Sequence, residues 1–193
     1  LSPVLTEQYI AAARKVREQA IGDADMQPLF ELYRVSDNTW QEERMNEDLP
    51  FGSRGGLAIR HYFPVNGEYE IQVRLQRNSR EYIRGLQDGA HQIDIRVDGD
   101  RIKLFTIGGE KRGKSSGIFS TASQGDIEQE IYERTADDAL NVRFNIEAGY
   151  RQVTIAFLKD SSFDEGPLNP RHTNYDFLQY KGGEPGVRSV SLD

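Results

Sequence analysis

Apolar and polar residues alternate with period two across three long stretches of the chain, residues 63–75, 91–107 and 140–158. In the first stretch Tyr69, Ile71, Val73 and Leu75 fall on one side of an extended chain, and Glu70, Gln72 and Arg74 on the other. Successive side chains of a strand point to opposite faces, so the pattern predicts antiparallel strands with one buried face. Each stretch contains a short glycine-bearing turn: Asn66-Gly67, Asp98-Gly99 and Ala148-Gly149. Turns of this kind between alternating runs signal hairpins. The three stretches therefore read as three hairpins of one sandwich.

The remaining elements follow from periodicity and punctuation. Residues 2–21 read as a helix, with Ser2 as N-cap and Pro3 at the first helical position. Tyr9, Ala13, Val16 and Ala20 make one apolar stripe on it, and Gly22 supplies a stop. Phe30 to Val35 reads as the first strand. Residues 36–55 read as a polar loop that holds the only tryptophan, Trp40, and runs into the glycine-rich segment FGSRGG. Leu57, Ile59, His61 and Phe63 alternate as the second strand. Residues 76–90 form a polar loop with Tyr82, residues 108–139 a polar stretch with a short helix over 126–134, and residues 159–186 a second long loop. Loops of this length in a compact domain are usually functional or mobile. Residues 187–192 close the pattern as a last strand.

About eight strands with no fixed repeat period predict an all-β antiparallel sandwich or jelly roll, preceded by an N-terminal helix. Residues 1–22 are expected to be a helix that links to an upstream domain, and residues 28–193 to be the sandwich. The chain begins at Leu1 and ends just after a strand, so it reads as a piece of a longer protein.

Composition narrows the partners. A chain of 193 residues suits one domain with an appendage, and folding at this size buries roughly 70% of the unfolded surface. The net charge of -7 argues against nucleic acid, which demands clustered Lys and Arg. It argues equally against an anionic membrane surface. No run approaches the roughly 18 apolar residues of a membrane span, so no membrane insertion is expected. The absence of cysteine excludes disulfides, thiolate metal sites and covalent haem within this segment.

Candidate chemistry lies in the loops. A binding site on the loops of a sandwich needs an aromatic plane beside polar groups or a metal. Aromatic residues outside the strand pattern supply candidates, foremost Trp40, Tyr82 and Tyr175, with Phe119, Tyr132, Phe163, Phe177 and Tyr180 behind them. For each, the competing role is to pin its own loop to the sandwich. Arg54, in FGSRGG, is a candidate to point into the site, with an internal ion pair as the alternative. The segment DSSFDEGPLN offers Asp160, Asp164 and Glu165 as oxygen ligands for calcium, with Asn169 nearby. Asp98 and Asp100 flank a turn, and Glu43, Glu47 and Asp48 crowd the first loop; the plain reading of these is a turn and solvated surface acids. His61 falls on the apolar side of its strand, where a core histidine with satisfied nitrogens is expected. No phosphate loop, serine elbow or zinc-protease motif is present, and catalysis is not expected.

The order of the pieces resembles the galactose-binding-like sandwich of bacterial carbohydrate-binding modules. The segments that carry the likeness are FPVNGEYEIQVRL, IDIRVDGDRIKLF, IEAGYRQVTIAFL and VRSVSL. A narrower resemblance joins LPFGSRGGLAIRHYFPVNGEY, VDGDRIKLFTIGGE and YIAAARKVREQAIG to a domain of planctomycete-type surface or periplasmic proteins that also carry c-type haem segments. That domain is similar to calcium-dependent xylan-binding modules. The resemblance implies a non-catalytic polysaccharide-binding domain, calcium as its ion, and a periplasmic or cell-surface location. The alternative is a structural domain that packs against neighbouring domains of a haem-containing redox protein, with no haem in this segment.

Overall fold

A computed structural model of the protein describes residues 2–21, 30–37, 39–87, 89–116, 125–159 and 181–193. The chain opens with helix α1 (Pro3–Ile21). Eight strands follow among the described residues: β1 (Glu31–Arg34), β2 (Ser53–Phe63), β3 (Gly67–Leu75), β4 (Ala90–Val97), β5 (Asp100–Gly108), β6 (Asn141–Ile146), β7 (Gly149–Leu158) and β8 (Val187–Leu192). Helix α2 (Ile127–Thr135) lies between β5 and β6 and runs into a short 3-10 turn over Ala136–Ala139. Every strand pairing is antiparallel, and the strands form two four-stranded sheets ordered β1-β8-β3-β6 and β2-β7-β4-β5. The protein is therefore an all-β sandwich with an N-terminal helix.

The alternation that predicts the strands also builds the core. Ile71, Val73 and Leu75 of β3 face Ile93, Ile95, Val153, Ile155 and Phe157 of the second sheet, and none of these is measurably exposed. Burying each such side chain contributes about 1.5–3 kcal/mol. Phe63 sits among His61, Tyr69 and Phe144, with ring centroids 4.4, 4.8 and 6.2 Å away in edge-to-face contact. His61 is buried, as its parity predicts, with Nδ1 3.0 Å from the Tyr33 hydroxyl. Burial and then the Glu31 carboxylate push the Tyr33 phenol up to about 12.

Only one of the three expected hairpins forms. β4 and β5 turn back on each other through Asp98 and Gly99, with φ of 50° and 90°, the doubly left-handed geometry of a type I′ turn. The other two turns do something different. β2 and β3 belong to different sheets, as do β6 and β7, so Asn66-Gly67 and Ala148-Gly149 carry the chain across the sandwich. A tight reversal has the same local chemistry whether the next strand pairs beside the last or faces it about 10 Å away. The two crossings are tied together, because the Ala148 N–H donates to Asn66 Oδ1 at 2.7 Å.

This topology sorts the connections by length. The three short turns lie at one end of the sandwich. The β1–β2, β3–β4, β5–β6 and β7–β8 connections all leave from the other, which we call the loop end. β2 also starts earlier than expected. Ser53 and Arg54 pair with β7 instead of belonging to the loop, and a bulge at Gly55 and Gly56 separates them from Leu57. In α1, Tyr9 and Val16 of the apolar stripe are 71% and 63% exposed. No helix among the described residues is long and apolar enough to cross a membrane.

One outward-facing carboxylate gives the second sheet a pH dependence. Asp94 is only 2% exposed, and it accepts hydrogen bonds from Arg96 Nε (2.8 Å), Arg101 Nε (2.7 Å) and Arg101 Nη2 (3.0 Å). Burial alone pushes the carboxyl up. The bonds and charges of Arg101 and Arg96 outweigh it and hold the pKa below the usual range. A depressed folded-state pKa contributes stability above the unfolded value of about 3.9, and that stability is lost as pH falls through the folded value. Asp94→Asn is therefore expected to lower the urea midpoint at pH 7. The gap from the parent protein should narrow steadily below about pH 4, and a gap independent of pH would contradict this account.

Candidate functional site

The loop end holds three of the predicted site residues, Arg54, Tyr82 and Trp40, and buries the first two. Arg54, on β2, is 4% exposed. It pairs with the Glu184 carboxylate, donates to the Pro185 carbonyl at 2.7 Å, lies 3.3 Å from His91 Nδ1, and stacks on Phe157 at 4.6 Å. Burial pushes its pKa down, against the opposing pull of Glu184. It clamps residues 184–185 to the second sheet, which is the ion-pair alternative that the sequence leaves open. Tyr82 is 6% exposed, with Lys181 Nζ 3.6 Å and the Arg134 guanidinium 4.4 Å from its ring centre. A hydrogen bond from Arg134 is the largest of the influences that lower its phenol pKa. Cations thus occupy the surface a sugar would need. Trp40 is half-buried, with Arg84 5.2 Å from its ring.

The loops are held by buried polar groups as well as by buried apolar residues such as Leu49, Ile83 and Leu86. Gln41 donates from Nε2 to the Val187 carbonyl (2.6 Å) and accepts on Oε1 from the N–H groups of Gly56 (2.8 Å) and Val187 (2.9 Å), which bridges the two sheets. Asp137, fully buried, accepts from Leu75 N–H at 2.9 Å and from Arg77 Nη2 at 2.7 Å. Tyr132 is buried on α2, and its hydroxyl accepts from Gly108 N–H at 3.1 Å.

Tyr175, Asp160, Asp164 and Glu165 lie outside the described residues, as do Phe119, Phe163, Asn169, Phe177 and Tyr180. Among the described residues no three His, Asp or Glu side chains come together as a metal-binding group. Asp98 serves its turn: its two oxygens accept from Gln152 N–H (2.8 Å) and Arg151 Nη1 (3.1 Å).

Phe51 of the β1–β2 loop is 92% exposed with the Arg44 guanidinium 4.5 Å from its ring, and a second open aromatic surface lies on a sheet face. Tyr62 of β2 and Tyr150 of β7 are register partners on the outward side of the second sheet, 52% and 65% exposed. Their ring centroids are 4.9 Å apart and tilted by 49°, and the Arg60 guanidinium lies 5.2 Å from the Tyr150 ring. Arg60 pairs in register with Gln152, both exposed, and Ala58 with Thr154, so the face steps from two rings to a polar row and then to a low floor. Such a face offers planar apolar surface with phenol, amide and guanidinium donors beside it. A search confined to loop aromatics passes over this pair. The signal available was parity: Tyr62 sits between inward His61 and Phe63, and Tyr150 shares its side with Gln152 and Thr154.

No protein-family model matches the chain, and no curated protein matches it. Among solved structures it is similar to the isomalto-dextranase of Arthrobacter globiformis T6 complexed with panose. The TM-score is 0.33 and the identity 9%, over 72% of this chain and 16% of that one. The chain thus spans about a sixth of that enzyme's length. Nothing about ligand or reaction transfers at that distance.

Proposed function

We propose that this domain is a non-catalytic carbohydrate-binding module of a larger exported protein, and that it holds its ligand on the outward face of the second sheet. The observation that carries the reading is the exposed Tyr62–Tyr150 pair with Arg60 and Gln152 beside it. Two tyrosines that expose more than half their area on a strand face leave apolar surface in water, where a pyranose ring can cover it. The competing role is sheet stabilisation, since a cross-strand aromatic pair contributes roughly 0.2–1 kcal/mol by itself.

The two roles separate in one experiment. Tyr62→Ala and Tyr150→Ala are expected to cost less than about 1 kcal/mol in urea unfolding. Each is expected to abolish retardation in affinity gels cast with neutral plant and algal polysaccharides. Retardation that survives both substitutions, or that no neutral polysaccharide produces, would overturn the reading. Calcium is the second part of the proposal, with Asp160, Asp164 and Glu165 as its oxygen ligands. A parallel gel with chelator tests it: retardation that disappears on chelation and returns with added calcium supports the ion, and unchanged retardation removes it.

A structural or interaction domain is the second reading. The exposed apolar positions of α1, Leu5, Tyr9 and Val16, favour it. It would be supported if a neighbouring domain of the parent protein protected residues 5–16 from hydrogen exchange.

A further inference from the structure

A hollow of about 330 Å³ opens on the outward face of the first sheet, close to the loop end. Its lining is Arg34, Val35, Asp37, Arg74, Arg77, Arg188 and Ser189. Register explains its shape. Arg34 of β1, Ser189 of β8 and Arg74 of β3 lie side by side across three adjacent strands, so a small serine is the floor between two long arginine walls. The volume falls within the range of small-molecule sites, about 300–1,000 Å³.

Three of the four guanidinium groups are already engaged. Arg77 is fixed by Asp137 and by the carbonyls of Arg134 (2.7 Å) and Glu81 (3.1 Å). Arg74 pairs with Asp138 and, at 3.3 Å, with Asp137. Arg188 makes looser pairs with Asp37 (3.4 Å) and Glu81 (3.5 Å). The Arg34 side chain is exposed and has no hydrogen-bond or ion-pair partner among the described residues. With those acids counted the neighbourhood is close to neutral, so bulk charge attraction is not what the hollow offers. It offers a free planar fork of N–H donors, which matches a carboxylate bidentately.

We propose that this hollow binds the carboxylate of a hexuronate unit in an acidic oligosaccharide, with Arg34 as the principal donor and Ser189 and Asp37 taking ring hydroxyls. Asp37 decides between carboxylate bearers. A hexuronate unit carries ring hydroxyl donors beside its carboxylate, which suit Asp37, whereas a glutamate side chain of an acidic peptide carries none. The site is separate from the tyrosine face and does not depend on it.

Titration calorimetry of the full chain with oligogalacturonate tests the assignment. The comparison ligands are the same oligomer fully methyl-esterified, a neutral oligomer of equal length, and poly-glutamate. Heat that Tyr62→Ala leaves unchanged is expected with the free acid only. Arg34→Gln is expected to weaken binding on the order of 10- to 100-fold, the loss expected for charge-assisted bonds, with an unchanged melting temperature. Lys103→Gln, an equal loss of surface charge elsewhere, should leave binding intact. Tyr62→Ala should also leave it intact, so failure of the tyrosine face is not failure here. Equal binding of the ester, no effect of Arg34→Gln, or equally tight binding of poly-glutamate would each overturn the proposal.

Discussion

Gly56→Ala is expected to destabilise the protein by about 2–6 kcal/mol, the sum of a strained left-handed backbone and an overpacked contact. Gly56 lies in the bulge where β2 slips against β7 between Arg54 and Leu57, and its φ is +80°. A Cβ there would stand 1.9 Å from the Ile155 carbonyl oxygen and 2.8 Å from Ala156 Cα. Both are backbone atoms of a central strand, so no side chain can swing aside. The same residue donates its N–H to Gln41, and displacing it loosens the bridge between the sheets. Gly52→Ala is the control. Its φ is +72°, nearly the same, and nothing lies within 4 Å of its Cβ position. It should cost only the conformational term, roughly 1–2 kcal/mol. In a domain of this size each kcal/mol shifts the melting temperature by about 2–4 °C. Equal losses for the two variants would show that the close approach of strands β2 and β7 is not what requires glycine at position 56.

Lys181→Met is expected to cost about 3–5 kcal/mol at pH 7, because it strands a buried carboxylate. Glu133 of α2 is 1% exposed and Lys181 5%. Their charged atoms are 2.8 Å apart, and Gln129 Nε2 and Gln87 Nε2 donate to the other carboxylate oxygen at 2.9 and 3.0 Å. Ser115 and Ser116 hydroxyls lie 3.3 and 3.1 Å from Lys181 Nζ. Burial pushes the Glu133 carboxyl up. The bonds from Lys181, Gln129 and Ser115 and the lysine charge more than reverse it, and the carboxyl sits below its usual range.

The sign of the pH effect follows. In the parent protein this pair contributes stability above the unfolded glutamate value of about 4.3, and the contribution is lost as pH falls through the folded value. In Lys181→Met the desolvated carboxyl is raised instead. The variant should be least impaired in acid and lose ground as pH rises past about 4.3. Adding Glu133→Gln should restore much of the loss at neutral pH, since a neutral amide keeps a donor and an acceptor for its neighbours. Urea unfolding of the single and double variants at pH 4 and pH 7 checks both statements. A loss that neither depends on pH nor responds to Glu133→Gln would mean that Lys181 acts through packing alone.

These two sites mark where reading along the chain succeeds and stops. The strand faces were legible because a buried face leaves a period-two record in consecutive residues: Tyr69, Ile71, Val73 and Leu75 point inward as their spacing requires. His61 was legible for the same reason. The turns at residues 66–67 and 148–149 were located but not interpreted, since crossing to the facing sheet and pairing with the adjacent strand ask the same of a tight reversal. Arg54 and Tyr82 stood out as unusual loop residues. What they touch depends on residues 130 and 99 positions away, Glu184 and Lys181, which no local pattern records. The Tyr62–Tyr150 face is the converse case, with parity visible in each strand and the pairing of β2 with β7 visible in neither.

Taken alone, the sequence determined the all-β class, the eight strands, their inward faces and the long connections, because each is enforced by neighbours a few residues apart. Only the tertiary structure decided which strands share a sheet, that all four long connections leave from one end, and which polar side chains are spent holding them. It also decided that Arg34, Ser189 and Arg74 stand in one row. The physical reason is that solvent exposure and ion pairing are settled by whichever distant segment arrives. A guanidinium or a phenol has the same chemistry in sequence whether it faces water or a carboxylate brought from the far end of the chain.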